Sequence, residues 1–165
     1  GELTDSQKEL KDALLQISPI PVSFQPIEGS ANGFYSLDKN AITVDSTLSE
    51  KQSVKTLIHE IAHATIHNIN IPDAPKDSPT REVQAESIAY VVCQYFGMDV
   101  SDYSFGYIAG WSTGKDTKEL KESLEIIRDT SNDIISKTEQ TLTQMQSVKQ
   151  KVSETIQPKR RGRCM

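Results

Sequence analysis

The chain has 165 residues, 36% of them hydrophobic and 6% aromatic, and carries a formal charge of −5. That length can bury a core without disulfide staples, while the lean apolar share places part of the chain outside it. Lys159, Arg160, Arg161 and Arg163 gather positive charge at one end. They leave 14 basic against 23 acidic residues elsewhere, a body too acidic for broad nucleic-acid binding.

Residues 4–17 predict a helix capped by Thr4 or Asp5, with Leu10, Ala13, Leu14 and Ile17 on one face, and Pro19 and Pro21 stop it. Residues 22–27 alternate as a strand, and Pro26 near its end suits a sheet edge. A turn-rich stretch over 29–33 leads into a β-hairpin over 33–45, with Phe34, Tyr35 and Leu37 going out and residues 41–44 returning. Ser49 and Gln52 then form a capping-box pair before Val54, Leu57, Ile58, Ile61, Ala62 and Thr65, the buried face of a helix.

Pro72, Pro75 and Pro79 mark residues 68–80 as a loop. A second buried helix is predicted over 80–96, capped by Ser78 or Thr80. Ala85, Ile88, Ala89, Val92 and Phe96 lie on its face, and Gly97 stands just past its end. Tyr103, Phe105, Tyr107 and Trp111, among Gly106 and Gly110, suggest a short helical turn packed on the body. Residues 117–156 contain neither proline nor glycine, and Leu120, Leu124, Ile127, Ser131, Ile134, Thr138, Thr141, Met145, Val148 and Val152 form a partly polar heptad seam. One reading is a long helix that packs partly on the body and then frays; the other is a coiled coil that self-associates or links to another domain. Pro158 ends it.

No apolar run approaches the roughly 18 residues of a membrane span, and no leader with a basic start and an apolar centre opens the chain. Cys93 and Cys164 form neither a disulfide framework nor a CxxC site, so the expectation is a cytoplasmic protein with no membrane partner. The start at Gly1 rather than methionine suggests a segment of a longer protein.

His59-Glu60-Ile61-Ala62-His63 is an HExxH motif on the first buried helix. Residues i and i+4 share a helix face, so two imidazoles reach one ion from the same side, while Glu60 stands beside the water to be activated. Zinc, Zn2+, needs a third protein ligand and an open fourth position. His67 lies about 12 Å along the helix from His59, too far to share the ion, and reads as packing or as a rim residue. No downstream histidine completes a metzincin pattern, which leaves a carboxylate. Glu82 and Glu86 lie one turn apart on the next helix, beside Ala85 and Ala89, whose small side chains let two helices approach closely. Either could ligate, with the other hydrogen-bonded to the outer nitrogen of His59 or His63.

Residues 55–64 (KTLIHEIAHA) followed by 81–93 (REVQAESIAYVVC) resemble the ImmA/IrrE-like zincin metallopeptidases. More closely, they resemble the C-terminal peptidase-like domain of ArdC-type antirestriction proteins and LtrC-like proteins of conjugative elements in Gram-positive bacteria. Residues 102–111 are similar to the next segment of the LtrC-like group, and the resemblance covers roughly residues 30–130. It implies an α+β, minimal gluzincin-like fold: a small antiparallel sheet packed by the HExxH helix and a glutamate helix, with a long C-terminal helix added. It implies an edge strand able to align an extended peptide. The family's Glu-x-x-Ala maps onto Glu82 and Ala85, favouring Glu82 as the third ligand and placing Glu86 behind the histidines. It also implies that a single-stranded-DNA-binding domain found upstream in ArdC-type proteins is absent from this segment.

The expected organisation is a metallopeptidase domain over 1–115, a long helix over 116–157 and a basic tail over 158–165. The expected function is zinc-dependent hydrolysis of a peptide bond in a protein substrate, such as a specific repressor, in a mobile-element or antirestriction setting. Glu60 is the expected general base, with Tyr35 or Tyr90 stabilising the oxyanion. The alternative is a non-catalytic metal-binding module that serves DNA protection or partner docking.

Overall fold

The computed structural model describes residues 2–68, 70–71, 78–100 and 110–156. Helix α1 (Asp5–Ile17) starts at Thr4, whose hydroxyl accepts from the Gln7 backbone while the Gln7 side chain accepts from the Thr4 backbone. The helix buries Leu10, Ala13 and Leu14. Three short strands follow: β1 (Val22–Gln25), β2 (Gly33–Ser36) and β3 (Ala41–Asp45). The sheet order is β1-β3-β2, so among the described residues both β1 and β2 are edges.

The sheet is mixed, which corrects the expected antiparallel arrangement. β2 and β3 form the antiparallel hairpin, with Tyr35 opposite Ile42, but β1 pairs parallel to β3, with Phe24 opposite Val44. Ile42 and Val44 of β3 are fully buried, and a strand with that much apolar surface belongs in the middle. The chain therefore crosses from β1 to the far edge before the tight hairpin brings β3 back between them. Asn40, at a φ of 48°, supplies the left-handed residue that ends the hairpin turn.

Helix α2 (Glu50–Ile66) is capped by Ser49, which accepts from the Gln52 backbone. It lays Val54, Leu57, Ile58 and Ile61 against the core. Helix α3 (Ser78–Tyr95) starts slightly before its predicted position, and the Thr80 hydroxyl accepts from the Trp111 indole at 2.9 Å. Ala85 and Ala89 are fully buried where α3 meets α2. Gly97, at a φ of 76°, stops α3. The Met98 N–H reaches back to the Cys93 carbonyl and the Gly97 N–H to that of Gln94, which satisfies the last carbonyls. Of the aromatic stretch after Gly97, residues 101–109, including Tyr103, Phe105 and Tyr107, lie outside the described residues.

Helix α4 (Thr117–Ile156) packs its middle on α1 and α3, burying Ser123, Thr130, Ser131, Ile134, Ile135 and Thr138. Ile134 and Ile135 belong to the same core cluster as α1, α2 and α3. Lys149 pairs with Glu9 of α1, whereas Val148, Val152 and Ile156 are exposed. The heptad seam therefore divides: Ser131, Ile134 and Thr138 are buried, and Leu124 is 66% exposed. Among the described residues no helix is long and apolar enough to cross a membrane.

Candidate metal centre

Helix α2 carries His59 and His63 one turn apart, with their Nε2 atoms 3.0 Å from each other. Glu82 reaches over from α3, placing one carboxylate oxygen 3.2 Å from His59 Nε2 and the other 3.1 Å from His63 Nε2. Among the described residues, His59, His63 and Glu82 form a cluster whose ligand atoms all lie within 4.8 Å of one another. Glu86, one turn further along α3, faces the other side of His59, with Oε2 2.8 Å from Nδ1, and its second oxygen is paired with Lys55. Of the two glutamates that the sequence left open, Glu82 faces both inner nitrogens and Glu86 an outer one.

His63 is held at its outer nitrogen by another histidine. His67, which caps the C-terminus of α2, places Nδ1 2.7 Å from His63 Nδ1, and its Nε2 lies 2.8 Å from Gln84 Oε1. Gln84 in turn donates to Ser123 Oγ on α4 at 3.1 Å. The rim position suggested for His67 is thus a contact with the site itself. The i±4 spacing along α2 is the signal that finds both Lys55, four residues before His59, and His67, four after His63. Gln84 and Ser123, 39 residues apart, carry no such local signal.

Glu60 is 6% exposed and lines a cleft of about 570 Å³ together with His59, His63, Glu82, Glu86 and the β2 residues Gly33, Phe34 and Tyr35. Tyr35 thus stands on the cleft wall, whereas Tyr90 is outside that lining and packs against the core cluster. Gly33 has a steric role that the sequence reading, which placed it at a turn, missed. A Cβ there would lie 2.7 Å from Thr56 Cγ2 and 3.4 Å from Glu60 Cγ, so its hydrogen side chain lets β2 lie directly on the HExxH helix.

The charges in the site follow from burial and partners. Burial raises the Glu60 carboxyl above its ordinary value, against the opposing pull of His59 and His63. Hydrogen bonds from His59 and His63 hold Glu82 well below the usual carboxylate range. Burial works to lower the His59 pKa, but Glu82 and Glu86 outweigh it and lift it to about 9. Burial brings His67 down to about 4, so it is a neutral imidazole. Burial also pushes the Cys93 thiol up to about 12, which removes it as a nucleophile.

No family model matches the chain, and no solved structure matches it. The chain is similar to the uncharacterized protein pXO2-81 of Bacillus anthracis. The two are 32% identical over 114 residues, which is 68% of this chain and 19% of that protein. The chain therefore spans about a fifth of the length of the relative it matches.

Proposed function

We propose that this chain is a zinc-dependent metallopeptidase domain of minimal gluzincin-like fold. The observation that carries the reading is the meeting of His59 Nε2, His63 Nε2 and the Glu82 carboxylate in one cleft, beside a buried Glu60. Two imidazoles and one carboxylate are a catalytic zinc set that leaves a fourth position open. Tetrahedral bonds of 2.0–2.1 Å put neighbouring ligand atoms about 3.3 Å apart. The two Nε2 atoms stand 3.0 Å apart and one ligand atom from each of the three residues lies within 4.8 Å of the others, which supports one shared ion.

Zinc in such a set lowers the pKa of a water to about 7 and polarises a carbonyl oxygen. Glu60 takes the proton from the attacking water and returns it to the leaving amine. Tyr35, on the cleft wall, is the candidate donor to the developing oxyanion. Among the described residues β2 is an edge strand along the cleft, and an extended peptide fits there by adding a strand. Phe34, 45% exposed, and Leu37, 51% exposed, offer apolar contacts to its side chains. A specific repressor as substrate, and the mobile-element or antirestriction setting, enter the proposal through the family resemblance.

The test compares wild type with Glu60→Gln. Both should bind one zinc, and cleavage of a screened peptide library should fall about 10²–10⁴-fold in the variant. A Glu60→Gln protein that cleaves as fast as wild type would overturn the mechanism.

A further inference from the structure

The carboxylates of the cleft are committed. Glu82 faces both inner nitrogens, and Glu86 is shared between His59 and Lys55, whose charge it takes up. Arg81 differs from them. It lines the same cleft and is half-buried, and among the described residues it makes no hydrogen bond or ion pair. We infer that Arg81 is a specificity-determining residue, which receives a carboxylate of the peptide substrate close to the bond that is cut. The inference rests on the metallopeptidase reading and adds to it the class of substrate.

A guanidinium stays charged at any pH at which the protein is folded, and its planar fork offers two parallel N–H groups to the two oxygens of a carboxylate. Half-burial has removed part of its water, and a partner that arrives by binding restores what was lost. Glu82 is next in sequence but does not serve, because its oxygens are turned to His59 and His63. Successive helix positions point about 100° apart, so Arg81 stands to one side of that ligand rather than above or below it.

The position also sets where on the peptide the carboxylate must be. Neighbouring Cα atoms are about 3.8 Å apart, so Arg81 starts one residue from the metal centre. Across the cleft stands β2, whose Gly33 abuts Thr56 and Glu60 of α2. A peptide added to β2 turns alternate side chains to opposite faces and advances about 3.3 Å per residue. A carboxylate within a residue or two of the cut, on the face turned to the helices, therefore meets Arg81. An acidic side chain supplies that group, and so does the end of the peptide. The selection acts at contact distance, since the chain as a whole carries −5 and does not draw acidic peptides from afar.

The experiment uses the full chain and pools of short peptides capped at both ends. One pool carries Asp or Glu at an internal position, a second Asn or Gln, and a third Lys or Arg. A further pool repeats the second with a free C-terminal carboxylate. Cleavage by zinc-loaded protein is read by mass spectrometry, and binding to metal-stripped protein by equilibrium dialysis. Wild type should bind and cleave a carboxylate pool about 10–100-fold better than the capped amide pool. Preference for the capped acidic pool assigns the carboxylate to a side chain, and preference for the uncapped pool assigns it to the peptide end. Arg81→Gln should remove the preference, and Arg81→Glu should turn it toward the Lys and Arg pool. A wild type that cleaves all pools alike overturns the inference, and that measurement needs no variant to fold. An Arg81→Gln protein that loses cleavage evenly on every pool overturns it as well. A wild type that binds carboxylate peptides through Arg81 yet cleaves none overturns the metallopeptidase reading instead, so the two failures are distinct.

Discussion

Replacing Gly33 by alanine tests how closely the sheet lies on the HExxH helix. The added Cβ would sit 2.7 Å from Thr56 Cγ2 and 3.0 Å from the Thr43 carbonyl oxygen. Carbon atoms in good contact stand about 3.5–4.0 Å apart, so the first approach is short by about 1 Å. Neither neighbour yields easily: Thr56 is β-branched and stiff about χ1, and the Thr43 oxygen belongs to the backbone of the central strand. Overpacking of this kind costs about 1–3 kcal/mol. For a chain of this length each kcal/mol lowers Tm by about 2–4 °C, so Gly33→Ala should melt about 2–12 °C below wild type.

Calorimetry on wild type, Gly33→Ala, Thr56→Ser and the double variant isolates the contact. Thr56→Ser deletes Cγ2, so the double variant should recover part of the loss, with a coupling of about 1 kcal/mol. A Gly33→Ala protein that melts with wild type, or a cycle that is simply additive, would refute the close approach. The assay does not depend on catalysis.

Zinc added to metal-stripped protein at 100 times its Kd should stabilise the fold by about 2.7 kcal/mol, visible as a rise in Tm that EDTA reverses and His59→Ala abolishes. An unchanged Tm would exclude zinc binding to the folded state. Ser131 is 1% exposed and its Oγ has no hydrogen-bond partner among the described residues, so Ser131→Ala should raise stability by about 1 kcal/mol in urea unfolding; a loss would show that the hydroxyl is satisfied. Ile134→Ala, at a site 2% exposed, should cost about 2–5 kcal/mol. Ile156→Ala, at a site 73% exposed, should stay within about 0.5 kcal/mol of wild type. Equal effects of the two would contradict the burial of apolar residues at the middle of α4 and their exposure at its end.

What could be read before folding was what a single element contains. The 3.6-residue period places His59 and His63 on one side of α2 wherever that helix goes, and the same period puts Val54, Leu57, Ile58 and Ile61 on its buried side. Thr4, Ser49 and Gly97 start or stop helices through bonds to residues a turn or less away, so their roles were local too. The span of α4 followed from the absence of glycine and proline across it.

Tertiary structure decided everything that joins two elements. The spacing of Glu82 and Glu86 made them equivalent, and only the axial register of α3 against α2 turned Glu82 to the inner nitrogens and Glu86 to an outer one. The mixed sheet arose because β3 carries the apolar residues that must be central, a competition between strands that no strand announces alone. Gly33 read as a turn residue until β2 was laid against Thr56 and Glu60. The chain from His63 to Ser123 needed α4 seated on α3, a contact spanning 39 residues. A helix period is a property of the backbone, whereas the register between helices comes from the whole core finding its densest packing.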